Sequence, residues 1–289
     1  MRSAWQIWRD RRGRISPLRI GTLALLLLPV ALAVYTFATD GFGARPLNDV
    51  IHRTGYWALI FVLVSLAVTP LRRVLRYGSM IDVRRMVGVG AFVYAFAHIC
   101  LYVADQSYDF AKVVSEIVLR LYLTIGFIAL LGLAVLAATS TDAMVKRLGA
   151  LRWRRLHQAV YVIALLALIH YFQQTKADLS VPIFAAGVLL WLMLYRVIAA
   201  RAERSELSTL ALLGLSIVVA LIIFAGEAFG IALYYRVSPM RILSTVFDFD
   251  VVRPGWLVLG AGLAVVIADL AASWWRGGGA QRGRAPAQA

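Results

Sequence analysis

The sequence predicts an all-α integral membrane protein: a multi-helix bundle of about eight transmembrane spans with both termini in the cytoplasm. Three observations predict it. Of the 289 residues 61% are apolar and the mean hydropathy is +0.77, which leaves too little polar surface for a water-soluble domain. Only 16% are charged, and these fall in clusters separated by uncharged runs of roughly 20 residues, the length that crosses a bilayer. The basic residues, finally, are dense in every second segment between those runs and sparse in the others.

The first run, 20–39, follows a basic N-terminal segment, 1–19. It is long enough to span, and no small-residue cleavage pattern precedes Asp40, so it reads as a retained helix and not a removed signal peptide. The second run, 54–71, ends against Arg72 and Arg73, and the third, 86–104, begins after Arg84 and Arg85. The fourth is 121–141, and the fifth, 156–175, follows Arg152, Arg154 and Arg155. The sixth, 179–195, is the shortest; the seventh, 207–226, continues past Glu227 to Tyr235, and the eighth, 254–275, is interrupted only by Asp269. Each can cross a hydrocarbon core of about 30 Å at about 1.5 Å per residue. Pro29 and Pro70 are expected to bend or end their helices. Trp57, Trp153, Trp191 and Trp256, near run ends, read as an interfacial belt. Glu227 and Asp269, close to span ends, read as solvated.

Orientation follows from the 30 Lys and Arg residues. Eight of them (Arg45, Arg53, Lys112, Arg120, Lys176, Arg236, Arg241 and Arg253) fall in one set of connecting segments, and the other 22 fall in the alternate set and at both termini. The positive-inside rule places the richer side in the cytoplasm. An odd number of spans would break the alternation, so charge and hydropathy support one another. The net charge of +15 is then a topology signal, and nucleic acid is not an expected partner. One cysteine, Cys100, excludes an internal disulfide and any multi-cysteine iron–sulfur or zinc site. The expected organisation is a basic cytoplasmic segment, 1–19, a six-span domain, 20–200, a further pair of helices, 201–275, and a tail, 276–289, expected to be disordered. No soluble domain fits between the spans, so function must lie in the helices or at their ends.

Ionisable residues inside spans are costly and are candidates for function by default. The chain has four histidines: His52, His98, His157 and His170. The third helix runs outward from Arg85, which puts His98 about 20 Å along it. The fifth runs outward from near Leu156, so His157 lies at its cytoplasmic mouth and His170 about 20 Å further out. His98 and His170 therefore share a depth on two different helices, the arrangement that grips a haem iron from both faces. His157 shares its depth with Arg84 and Arg85, whose guanidiniums could pair with haem propionates or simply anchor topology. The 13 residues between His157 and His170 leave the two directions roughly 140° apart on an ideal helix, so two cofactors stacked on one face would need a local distortion or a rotated approach. A membrane histidine can equally serve as an interhelical hydrogen bonder, and for His157 an interfacial role competes with ligation. His52, opening the second helix, faces water by default, with ligation or a haem-edge contact as its alternatives.

Three stretches carry a family resemblance: VIHRTGYWALIFVLVSLAVTPLRR (50–73), RRMVGVGAFVYAFAHICLY (84–102) and STDAMVKRLGALRWRRLHQAVYVIALLALIHYF (140–172). Together, over roughly 20–200, they resemble the MsrQ (YedZ) family, the haem-binding membrane subunits of periplasmic methionine sulfoxide reductase systems. That family lies within the ferric-reductase-like transmembrane domains. The resemblance implies that His98, His157 and His170 are haem-iron ligands. The wider group carries two histidines on each of two helices, and Arg84 stands here where the first of the third helix would be. The resemblance further implies one or two b-type haems and FMN, for which no motif supplies a site. It implies a cytoplasmic flavin reductase as donor and a periplasmic molybdopterin-dependent methionine sulfoxide reductase as acceptor, with sulfoxide reduction occurring on that partner.

No Gly-rich nucleotide fingerprint follows a predicted strand, so NAD(P)H is expected to bind elsewhere. Two other readings stand beside this one: a ferric or metal-chelate reductase of the same fold, and a cofactor-free transporter.

Overall fold

The structure, a computed structural model, describes residues 8–9, 13–175, 178–202, 206–250 and 252–282, with side chains to Trp275. The expectations for Arg2, Arg11, Arg12, Lys176, Arg204 and the tail from 283 lie outside the described residues, as do the side chains of Arg276 and Arg282. Among the described residues eight helices are long and apolar enough to cross a membrane, as the hydropathy predicts, and the only β-bridge is an isolated one between Arg9 and Ile15. The long helices are α1 (Pro17–Thr39), α2 (Pro46–Val74) and α3 (Ile81–Asp105). After a short α4 (Phe110–Leu119) come α5 (Leu121–Ala138), α6 (Asp142–Leu148), α7 (Ala150–His157) and α8 (Val160–Gln174). The last are α9 (Ser180–Arg201), α10 (Thr209–Tyr235), a five-residue α11 (Pro239–Leu243) and α12 (Pro254–Arg282).

Local chemistry sets the starts. Ser16 caps α1, accepting from the Arg19 N–H, with Pro17 at the first helical position. Asp109, Thr141 and Ser208 cap α4, α6 and α10 in the same way. Pro29 and Pro70 lie inside continuing helices and end neither. Proline removes one backbone donor, and in the turn around Pro29 the Tyr94 hydroxyl donates to the Leu26 carbonyl at 2.7 Å.

By packing, the chain divides into two units. One holds residues to Leu66 and Ser79–Gln174; within it α5 lies along α8, α3 packs on both α5 and α1, and α4 lies on α5. Phe61 of α2 meets Tyr94 of α3 edge-on, ring centres 5.1 Å apart. The fifth span is broken: α7 stops at His157 and α8 starts at Val160. Through the break the Gln158, Ala159 and Tyr161 amides reach carbonyls three residues back. Each residue wound that way advances about 120° instead of about 100°. Winding of this kind between His157 and His170 turns their directions toward one another relative to an ideal helix.

The other unit joins Ala67–Gly78 to Thr175 onward. The sixth span, α9, thus packs with α10 and α12 in a unit that also takes in the C-terminal end of α2. Small residues let these helices approach: the position of a Cβ on Gly187 would touch Val258, and on Gly262 would touch Ser216. Two expectations change here. Trp191 is buried and donates its indole N–H to the Ser216 hydroxyl at 3.1 Å, so it is a packing residue and not part of an interfacial belt. Glu227 and Asp269 are buried too. Glu227 pairs with Arg253 at 3.1 Å, and Asp269 accepts from the Thr209 hydroxyl at 2.7 Å. A carboxylate at a span end escapes solvation when the following loop folds a cation back onto it.

Candidate cofactor site

The structure brings His98 and His170 together. Their ring centres are 6.3 Å apart and their planes cross at 83°. Each is held from behind by a backbone carbonyl on a neighbouring helix: His98 Nδ1 lies 2.8 Å from the Ile51 oxygen of α2, and His170 Nδ1 2.7 Å from the Tyr122 oxygen of α5. A carbonyl only accepts, so Nδ1 carries the proton in both rings and Nε2 keeps its lone pair. An imidazole held this way is a pre-oriented and more basic metal ligand. The Tyr122 ring stacks near His170, centres 6.5 Å apart.

This pair fits a haem iron. The 6.3 Å between ring centres would leave room for an iron to which each ring offers one nitrogen. Among the described residues no group of three or more His, Cys, Asp or Glu could hold a metal ion. Two imidazoles alone suit an iron whose remaining ligands come from a porphyrin.

A polar chain ties the ends of these helices together. Tyr102, four residues beyond His98, donates to Glu116 of α4. Glu116 pairs with Arg120 at 3.1 Å, and Arg120 reaches the Tyr122 hydroxyl at 3.2 Å.

His157 stands apart from any other imidazole. It stacks on Trp153 with ring centres 3.9 Å apart. Its Nδ1 lies 3.1 Å from the Trp153 carbonyl and its Nε2 3.3 Å from the Ser140 hydroxyl, which donates in turn to the Leu136 carbonyl at 2.7 Å. Arg84 and Arg85 are its charged neighbours; Arg85 also pairs with Asp142 at 2.5 Å. His52 is exposed, next in sequence to the Ile51 whose carbonyl holds His98. Sequence reasoning missed Trp153, assigned to a belt: it is half-buried, and its indole N–H donates to the Thr139 carbonyl at 2.9 Å. It also missed Ile51 and Tyr122, which act through backbone atoms and so carry no side-chain signal.

Comparison with known proteins places the chain among relatives. Residues 54–168 match the family described as ferric reductase like transmembrane component. A protein-methionine-sulfoxide reductase heme-binding subunit MsrQ from Rhodospirillum rubrum is 42% identical over 199 residues, 68% of this chain and 93% of that protein. The subunit of the same name from Herminiimonas arsenicoxydans is 41% identical over 64% of this chain and 86% of its own length. That from Ralstonia nicotianae is 42% identical over 61% and 84%. About a third of this chain therefore lies outside each match. No solved structure matches.

Proposed function

Because the chain belongs to the MsrQ family of ferric-reductase-like, multi-pass proteins of the bacterial inner membrane, we propose that it is the haem-binding electron-transfer subunit of a protein-methionine-sulfoxide reductase system. The observation that carries this is the His98–His170 pair, two carbonyl-anchored imidazoles at a spacing that would suit an iron held by both. Bound there, a b-type haem supplies a one-electron carrier inside the apolar part of the bundle.

The chain's own residues do the rest. His98 and His170 orient their Nε2 lone pairs, and the Ile51 and Tyr122 carbonyls hold the protons on the opposite nitrogens. With both termini in the cytoplasm, as the charge bias predicts, this site lies toward the periplasmic face. The His157 end, with Arg84 and Arg85, then faces the cytoplasm, the side on which a flavin reductase and FMN would supply electrons. For a second, inner haem, His157 would exchange its Ser140 contact for iron, and the two arginines would offer guanidiniums to propionates. Electrons leave at the outer face to a soluble molybdopterin-dependent partner, where the sulfoxide of oxidised methionine is reduced.

The test is the visible spectrum of the detergent-purified protein made with ample haem, oxidised and then reduced, with iron counted per chain. A Soret band that shifts on reduction and is lost in His98→Ala and His170→Ala is expected. No Soret band in the parent protein would sink the proposal. Reduction of an oxidised protein only when the periplasmic partner is present separates it from direct metal-chelate reduction.

A further inference from the structure

Each of the two paired imidazoles rests against a glycine, and the two contacts repeat one another. A Cβ built on Gly55 would lie 3.0 Å from His98 Nδ1 and 3.1 Å from its Cε1. One built on Gly126 would lie 2.7 Å from His170 Nδ1 and 2.8 Å from its Cε1. Gly55 is four residues after Ile51 on α2, and Gly126 is four residues after Tyr122 on α5. In both cases the carbonyl that accepts the ring N–H is therefore four residues before the glycine that the ring touches.

Helix geometry explains the repeat. A helical side chain tilts toward the N-terminus and covers the turn before its own Cα. The residue four positions after a carbonyl is thus the one whose side chain would screen that carbonyl from a donor arriving from the side. Removing its Cβ opens a notch in which an imidazole can lie against the helix and reach the oxygen. Two other glycines of this unit meet aliphatic side chains instead, Gly90 that of Leu26 and Gly132 that of Ile163, and such ends can swing aside. The histidine rings cannot: moving off the glycine lengthens the Nδ1–H···O=C bond and turns Nε2.

We propose that Gly55 and Gly126 are positioning residues for the two axial ligands, forming with the Ile51 and Tyr122 carbonyls a pair of notches that set the orientation and basicity of His98 and His170. This rests on the haem reading above. The carbonyls cannot be deleted by substitution, so the glycines are the handle on this hydrogen bond. Weakening it makes the imidazole a poorer donor to ferric iron and raises the midpoint potential.

The experiment compares Gly126→Ala, Gly55→Ala and Gly88→Ala in the purified haem-loaded protein. It measures the midpoint potential by spectroelectrochemistry, the low-spin ferric resonance and the haem retained per chain. Gly88 is the control, since its Cβ would make only an ordinary 3.5 Å contact with the Ser65 hydroxyl. Expected is a shift to higher potential with moved resonance lines, largest for Gly126→Ala, smaller for Gly55→Ala and absent for Gly88→Ala. Where Gly126→Ala does not accumulate, Gly55→Ala decides, because its neighbour needs to give by only a few tenths of an ångström. Parental potential and resonance in Gly55→Ala and Gly126→Ala, even with lowered thermal stability, would reduce the glycines to packing residues and overturn the proposal. A parent protein without haem would overturn the haem reading itself, an outcome distinct from unchanged glycine variants.

Discussion

The ring centres of His98 and His170 lie 6.3 Å apart with their planes nearly perpendicular, at 83°. They come from helices far apart in sequence, and each is fixed by a different third helix. Perpendicular axial rings leave the iron orbitals that bond to them close in energy, which makes the low-spin ferric state strongly anisotropic. The haem-loaded protein should therefore show a highly anisotropic low-spin electron paramagnetic resonance signal. A narrow rhombic spectrum typical of parallel rings would show that the ligand planes differ from those described here.

His157 should separate from this pair. His157→Ala is expected to leave the spectrum of the His98–His170 haem in place and to remove only a second haem. Ser140→Ala removes the hydroxyl beside Nε2. If that contact serves only the fold, its loss costs about 0.5–1.5 kcal/mol of stability, and inner haem content is unchanged or raised. Loss of the outer haem in His157→Ala, followed by its Soret band and by iron per chain, would contradict the assignment.

Glu227 and Arg253 form a pair whose side chains are 6% and 23% exposed, and Arg253 also donates to the Thr245 hydroxyl at 2.7 Å. Removing one partner strands the other, at about 3–5 kcal/mol for a buried pair. Arg253→Ala should lower the thermal unfolding temperature in detergent, and Glu227→Gln should restore part of the loss when added to it. Equal stability of Arg253→Ala and parent would show that the pair contributes nothing.

Gly262→Ala would place a methyl against both Ser216 Oγ and the Ser216 Cβ, where α12 crosses α10. Overpacking of this kind costs about 1–3 kcal/mol. At Gly214 a Cβ meets nothing within 4 Å, so the same change there should be neutral or stabilise by about 0.4–1 kcal/mol. Thermal unfolding of the two variants side by side tests the difference, and equal effects would argue against close α10–α12 packing.

Much of the site was legible in the chain. Matching the depths of His98 and His170 needs only the rise of a helix and the positions of the arginines, and the structure brings those two rings together. The 13-residue spacing after His157 left a distortion and a rotated approach both open, and the structure breaks the fifth span at Gln158–Ala159. What was not legible has a common cause. Tryptophan suits both a wet interface and a tight core, so Trp191 and Trp153 could be placed only by their neighbours. A glycine's letter does not say which ring lies against it.

By itself the sequence determined the membrane class and the spans, because a bilayer imposes length and polarity residue by residue along one axis. Only the tertiary structure decided what lies across that axis. It decided that the His98 and His170 rings come within 6.3 Å, that the Ile51 and Tyr122 carbonyls hold their protons, that α9 packs with α10 and α12, and that Glu227 is paired. Lateral packing depends on helix rotation and on backbone groups common to every residue, and hydropathy carries little record of either.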